Sequence, residues 1–145
     1  MTRWLARPEQ ARLLFGGMSP TYLKELAPHL PAVITPGGLR RYPVKYLEAV
    51  LKYKSEHQIP MGSAVKQFAR TPEAQDLNVT LRTYFNRILG GSVPWTPNAL
   101  TEFFNVTKGS VSGWSEILGQ RHTGRKVSYD PVLIRQHCGW KNIGE

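Results

Sequence analysis

The stretch PEQARLLFGGMSPTYLKELAPHLPAVITPGGLRRYPVKYLEAVL, Pro8 to Leu51, sets the reading of the whole chain. Pro8 opens a short helix through Leu14, which Gly16 and Gly17 break. Ser19-Pro20 supplies an N-cap hydroxyl followed by proline at the first helical position, where a missing N–H does no harm. The second helix ends before Pro31 and turns Leu23 and Leu26 inward. Ala32-Val33-Ile34, the Pro36-Gly37-Gly38 turn and Leu39-Arg40-Arg41-Tyr42 then fit a β-hairpin with a basic second strand. From Pro43 to His57, Val44, Leu47 and Leu51, with Tyr46, Val50 and Tyr53 beside them, repeat at helical spacing. The order is helix, turn, helix, hairpin, helix.

That order returns near the other end. Thr96-Pro97 opens a helix over 98–104, Asn105-Val106-Thr107 forms a turn, and Lys108 to Leu118 reads as a helix. Gly119 to Val127 reads as a basic hairpin, and Asp130 to Cys138 as a closing helix. Laying Gly17-Met18-Ser19 over Asn105-Val106-Thr107 brings Phe15 onto Phe103, Leu23 onto Val111 and Leu26 onto Trp114. Tyr42 answers to Tyr129, and Leu47 to Ile134, each five residues past its tyrosine.

Between the repeats, Ala64, Val65, Phe68 and Ala69 mark a short amphipathic helix. Thr71-Pro72 caps a longer one over 72–89, whose Leu77, Leu81, Tyr84, Phe85 and Ile88 form a continuous stripe. The stripe suits a connecting helix or a homo-oligomer interface. Leu77-Asn78-Val79-Thr80 also echoes Phe104-Asn105-Val106-Thr107, an alternative third turn that the unbroken stripe argues against. The expected organisation is mainly α with small β-hairpin wings: a first module over 1–58, a helical connector over 59–93 and a second module over 94–145.

Two matched turns of this kind suit a helix-turn-helix. The turn fixes the second helix against the first and leaves its outer face free to enter a major groove about 12 Å wide. In the first module the outer face is Thr21, Tyr22, Lys24 and Glu25; in the second it is Lys108, Ser110, Ser112 and Ser115. Ser19 and Thr107 are caps that also stand where a DNA phosphate would approach. Arg40 and Arg41 in the first hairpin, and Arg121, His122, Arg125 and Lys126 in the second, are placed to reach a phosphate or a narrow minor groove.

Composition agrees with a nucleic-acid partner. The 145 residues carry 19 Lys plus Arg against 10 Asp plus Glu, a net charge of +9, which favours a polyanion through counterion release. The excess is +5 over 1–60, +2 over 61–93 and +2 over 94–145, so every segment is cationic. Apolar residues at 41%, with four Trp, six Tyr and five Phe, suffice for a core.

Catalytic signatures are absent: there is no glycine-rich phosphate loop, no His-Glu-x-x-His, no nucleophile elbow, and the four His and one Cys lack metal-ligand spacing. Neither enzyme activity nor a cofactor or metal is expected. Cys138, between Ile134 and Trp140, reads as a packed small side chain. The opening residues hold no apolar signal segment and no run of about 18 apolar residues occurs, so the expected home is the cytoplasm, with no membrane contact. The two Asn-Val-Thr triplets are then not glycosylation sites.

The first module resembles the MerR-like and excisionase-like winged helix-turn-helix family over about residues 4–54. The resemblance rests on the Ala11-Arg12-Leu13-Leu14 helix, the Gly17-Met18-Ser19 turn, Leu30-Pro31-Ala32-Val33, and the step from Arg40-Arg41-Tyr42-Pro43 into the closing helix. It implies recognition-helix insertion in a major groove and wing contact with backbone or minor groove. The extra Gly16 and the prolines at 28 and 31 depart from the family's pattern, and the second module resembles it more weakly. The functional expectation is a sequence-specific double-stranded DNA-binding protein of phage or mobile-element type, a transcription regulator or an excisionase-like architectural factor. The alternatives are a small terminase-like DNA-packaging subunit, oligomeric through residues 72–89, and a basic interaction module that occludes an acidic or DNA-binding partner.

Overall fold

The structure, a computed structural model, describes residues 3–145. It is mainly helical with small antiparallel sheets. Strand β1 (Leu5–Ala6) leads into α1 (Pro8–Leu14) and α2 (Pro20–Leu26), which a 3₁₀ turn at Ala27–His29 extends before Pro31 stops it. Strands β2 (Ala32–Ile34) and β3 (Arg40–Pro43) form the expected hairpin, and α3 (Val44–His57) closes the first unit. Helices α4 (Met61–Phe68) and α5 (Pro72–Leu89) follow, the latter matching its sequence-derived bounds. Then come α6 (Pro97–Phe104), α7 (Lys108–Gly113), α8 (Ser115–Leu118), the β4 (Gln120–Thr123) and β5 (Lys126–Tyr129) hairpin, α9 (Pro131–His137) and β6 (Gly139–Lys141). The helix expected over 108–118 is broken at Trp114, the C-cap of α7 and the residue before α8.

Hydroxyl caps set the helix starts as the Ser/Thr-Pro pairs foretell. Ser19, Thr71 and Thr96 accept hydrogen bonds from the backbone N–H groups of Tyr22, Ala74 and Ala99, and Thr107 does the same for Ser110 without a following proline. Gly16 and Gly17 stop α1 with φ of +84° and +86°, values that L side chains rarely adopt.

The same strand arrangement is built twice. In the first unit Ala6, two residues before Pro8, pairs with Tyr42, giving the order β1-β3-β2. In the second, Trp95, two residues before Pro97, forms a β-bridge with Tyr129, beside the β4-β5 hairpin. The two tyrosines aligned by the sequence repeat thus occupy the same place, and both are buried.

The units share a wall. Strand β6 from the far end of the chain pairs with β2 (Ala32 opposite Lys141, Val33 opposite Trp140), so the sheet runs β1-β3-β2-β6. Strand alternation then assigns its two faces to two cores. Ala6, Ala32 and Tyr42 pack with Leu23, Leu26, Tyr46, Leu47, Val65 and Phe68; Leu5 and Val33 pack with Leu100, Phe103, Phe104, Val111, Trp114 and Ile134. Helix α5 feeds both, Ala74 and Leu81 on one side and Phe85 and Leu89 on the other.

This packing bears on three expectations. The segments 1–58, 59–93 and 94–145 end at turns, but neither core respects those boundaries. The 72–89 stripe, a candidate oligomer face, is spent inside the chain: Leu81, Phe85 and Leu89 are buried, and Leu77 and Ile88 are partly so. The alternative turn at Asn78, which the unbroken stripe argues against, does not form: Asn78 is buried in mid-helix, donating to Asn142 Oδ1 at 2.9 Å and accepting from Trp140 Nε1 at 3.2 Å.

Candidate nucleic-acid interface

The freest cationic element is the β4–β5 hairpin. All of Gln120–Lys126 is exposed, and Gly124 turns the tip with φ +64°. Its outer strand, β4, has no neighbour beyond β5 among the described residues. At the foot, Arg121 donates from Nη2 to Asp130 Oδ2 at 2.8 Å, while Asp130 Oδ1 accepts from Val132 N at 2.8 Å and so caps α9. This pair braces the hairpin against the closing helix and leaves His122, Arg125 and Lys126 at its outer end without an ion-pair partner among the described residues.

Helix α7 lies in the same unit. Lys108, Gly109, Ser112 and Gly113 are exposed, Ser110 is half-buried, and Val111 and Trp114 are buried as foreseen. No Cβ placed at Gly113 would meet an atom within 4 Å. The outer surface of α7 is therefore low and polar, with one cation at its start. Thr107 Oγ1 is occupied by Ser110 N and the Ser110 hydroxyl, both at 3.1 Å, so its capping role is built.

In the first unit, Thr21, Lys24 and Glu25 of α2 are exposed, and Ser19 Oγ accepts from Tyr22 N at 3.1 Å. Lys24 and the half-buried Arg40 line one cleft with Arg12, Pro8 and Tyr42, between α1, α2 and β3. The cleft also carries Glu9 and Glu145, each engaged elsewhere: Glu9 pairs with Arg7 at 3.4 Å, and Glu145 accepts from Asn142 N and Nδ2.

One sequence-derived contact is corrected here. Arg41 is only 6% exposed. It alternates with Tyr42 to the other face of the sheet, which the second unit covers. Its Nε donates to the carbonyls of Phe104 and Asn105, both at 3.0 Å, and its Nη1 to Arg40 O at 2.9 Å. Burial pulls its pKa below the ordinary arginine value, with nearby Glu9 opposing. Arg41 is a tie between units, not a wing residue. Tyr22 stays exposed, at 40%, and its phenol oxygen lies over Gly62 at the start of α4, where a Cβ would overlap it.

The first hairpin as a whole is no free wing. Its outer strand is paired by β6, and its turn lies under Trp114, whose Nε1 would stand 2.6 Å from a Cβ on Gly37. Sequence periodicity could not reveal this, because β1 and β6 are two and three residues long and the partner of Gly37 lies 77 positions away. The small residue at a hairpin turn and the conspicuous Trp114 were visible; their pairing was not.

No membrane-crossing helix and no group of His, Cys, Asp and Glu able to hold a metal occurs among the described residues. No protein-family model matches the chain, and no significant match is found among the curated proteins or the solved structures.

Proposed function

We propose that this protein binds double-stranded DNA as a tandem winged helix-turn-helix, with the second unit making the deeper contact. The observation that carries this reading is the free β4–β5 hairpin, exposed from Gln120 to Lys126 with Arg125, Lys126 and His122 at its end, beside the exposed polar surface of α7. Helix-turn-helix proteins lay the second helix of the pair in the major groove. A low outer surface such as Lys108, Gly109, Ser112 and Gly113 permits close approach of the helix, and a projecting basic hairpin then reaches the backbone or the adjacent minor groove.

The repeated strand order supports assigning the same role to α2. Its part is different, because its hairpin is packed away. Lys24, Arg40 and Arg12 around one cleft supply phosphate contacts, while Thr21 and Glu25 stand on the exposed surface of α2. The acidic Glu25 suits acceptance from a cytosine amino group. Regulator or architectural roles share this surface.

The reading is tested by fluorescence anisotropy with a labelled duplex of random sequence. The wild-type chain should bind, and Arg125→Ala with Lys126→Ala should weaken binding across all sequences while leaving the melting temperature unchanged. Equal binding by both proteins would overturn the role given to the hairpin.

A further inference from the structure

We infer that the two recognition helices are held at one fixed spacing and orientation, so that the preferred target is a bipartite duplex site whose two halves tolerate no change in separation. This rests on the DNA-binding reading above and adds to it the geometry of the partner.

Tandem DNA-binding units are often joined by a flexible linker, in which case the second contact is made at an effective concentration set by linker length. Nothing of that kind joins these two. The loop that leads into α7 is bolted to the first unit: Asn105 donates from Nδ2 to Leu5 O at 3.0 Å and to Gln10 Oε1 at 2.7 Å, and its own carbonyl accepts from Arg41. Trp4 Nε1 donates to Phe103 O at 2.9 Å, two residues earlier. From the other direction β6 completes the first unit's sheet, and Trp114 at the end of α7 rests on Gly37.

The covalent connector is equally fixed. Ala64, Val65, Phe68 and Ala74 are fully buried or nearly so, and the exposed turn after α5 is closed by Arg135, whose Nη1 donates to Leu89 O at 2.6 Å and Gly91 O at 2.9 Å. These ties bury polar groups in both units, so separating the units would leave several donors and acceptors unpaired. The relation between α2 and α7 is thus part of the fold, not a property of a tether.

DNA converts that rigidity into sequence arrangement. One inserted base pair moves the far half-site by about 3.4 Å and turns it by about 35°, while 10 or 11 pairs restore its face but shift it by about 34–36 Å. A flexible tandem reader tolerates the full-turn insertion better than the half-turn one. A rigid reader loses its second contact with either.

The experiment begins with selection from a random 40-bp duplex pool by the full chain, followed by affinity measurements on the recovered site with insertions of 1, 5 and 10 base pairs between its halves. We expect one bipartite motif with a single spacing, and each insertion should lower affinity on the order of 10²-fold, to that of an isolated half-site. Recovery of the halves at several spacings, as unlinked motifs, or with affinity restored by the 10-bp insertion would overturn the fixed-spacing inference while leaving DNA binding intact. If no duplex is enriched, both this inference and the proposed function fall.

Discussion

Arg41 and Asn105 hold each other in place across the two halves of the chain: the Arg41 Nε–H reaches the Asn105 carbonyl at 3.0 Å, and Asn105 sits in the left-handed region with φ +51°. Asparagine tolerates that conformation better than most residues, and here its side chain repays it with bonds to Leu5 O and Gln10. A residue from the first hairpin therefore fixes the turn of the second helix pair.

Removing the guanidinium by Arg41→Ala should destabilise the protein by about 1–3 kcal/mol, because two buried carbonyls lose their donor. Chemical denaturation measures this directly. The salt dependence of duplex binding should stay as in the wild type, since Arg41 faces the protein; a slope reduced by about one would return Arg41 to the phosphate-contacting set.

Gly37 is required by its neighbour. A Cβ there would lie 2.6 Å from Trp114 Nε1 and 3.3 Å from Cδ1, so Gly37→Ala should displace the indole, with a loss of about 1–3 kcal/mol typical of overpacking. Gly113→Ala is the control, since a Cβ there meets nothing within 4 Å and alanine is the better helix former. A lower melting temperature for the first and an unchanged or higher one for the second is the expected pattern. Equal stability would mean that Trp114 does not brace the hairpin.

Much of this architecture could be read from the chain because helix boundaries are local events. Ser19-Pro20, Thr71-Pro72 and Thr96-Pro97 announce their helices by the chemistry of three or four consecutive residues, and the 72–89 stripe by its period. The Tyr42 and Tyr129 correspondence was legible for a similar reason: both tyrosines stand at or next to the end of a strand, two residues before a helix starts. What was not legible depends on pairing between distant segments. Arg41 looks like any wing cation until β6 and the second unit cover its side of the sheet, and Leu81 and Phe85 look like an oligomer stripe until two cores claim them. Of the residues the sequence offers for DNA contact, Ser19, Thr21, Tyr22, Lys24, Thr107, Lys108, Ser112, Arg121, His122, Arg125 and Lys126 are exposed and Arg40 and Ser110 half-buried, whereas Arg41 is turned to internal use.

Tyr46 offers a test of the first core. Its ring is fully buried against Phe68, at 5.4 Å between centroids, and its hydroxyl has no hydrogen-bond partner among the described residues. Burial drives its pKa well above the ordinary tyrosine value. Tyr46→Phe should leave stability unchanged or raise it by up to about 1 kcal/mol, because it removes an unpaired polar group without changing the packing. A loss above about 1 kcal/mol would show that the hydroxyl is bonded.

Cys138 should behave as a packed thiol. Burial pushes it up to about 12, so at pH 8 the native protein should react with a thiol reagent far more slowly than the denatured one. The sign of the pH effect follows from the raised folded-state pKa. The contribution is complete below the unfolded thiol's pKa near 8.5, and it is lost as pH rises from there toward 12. Cys138→Ala should flatten that part of the alkaline stability curve. Rapid labelling of the folded protein at pH 8 would contradict the placement.

The most direct measurement of the central claim is duplex affinity against salt between 50 and 200 mM for the wild-type chain. If the second unit's hairpin and the Lys24 and Arg40 cleft both meet phosphates, log K should fall linearly with log salt with a slope of about −4 or steeper, and Arg125→Ala with Lys126→Ala should make it shallower by about 2. Binding that is absent, or that does not change with salt, would contradict the account.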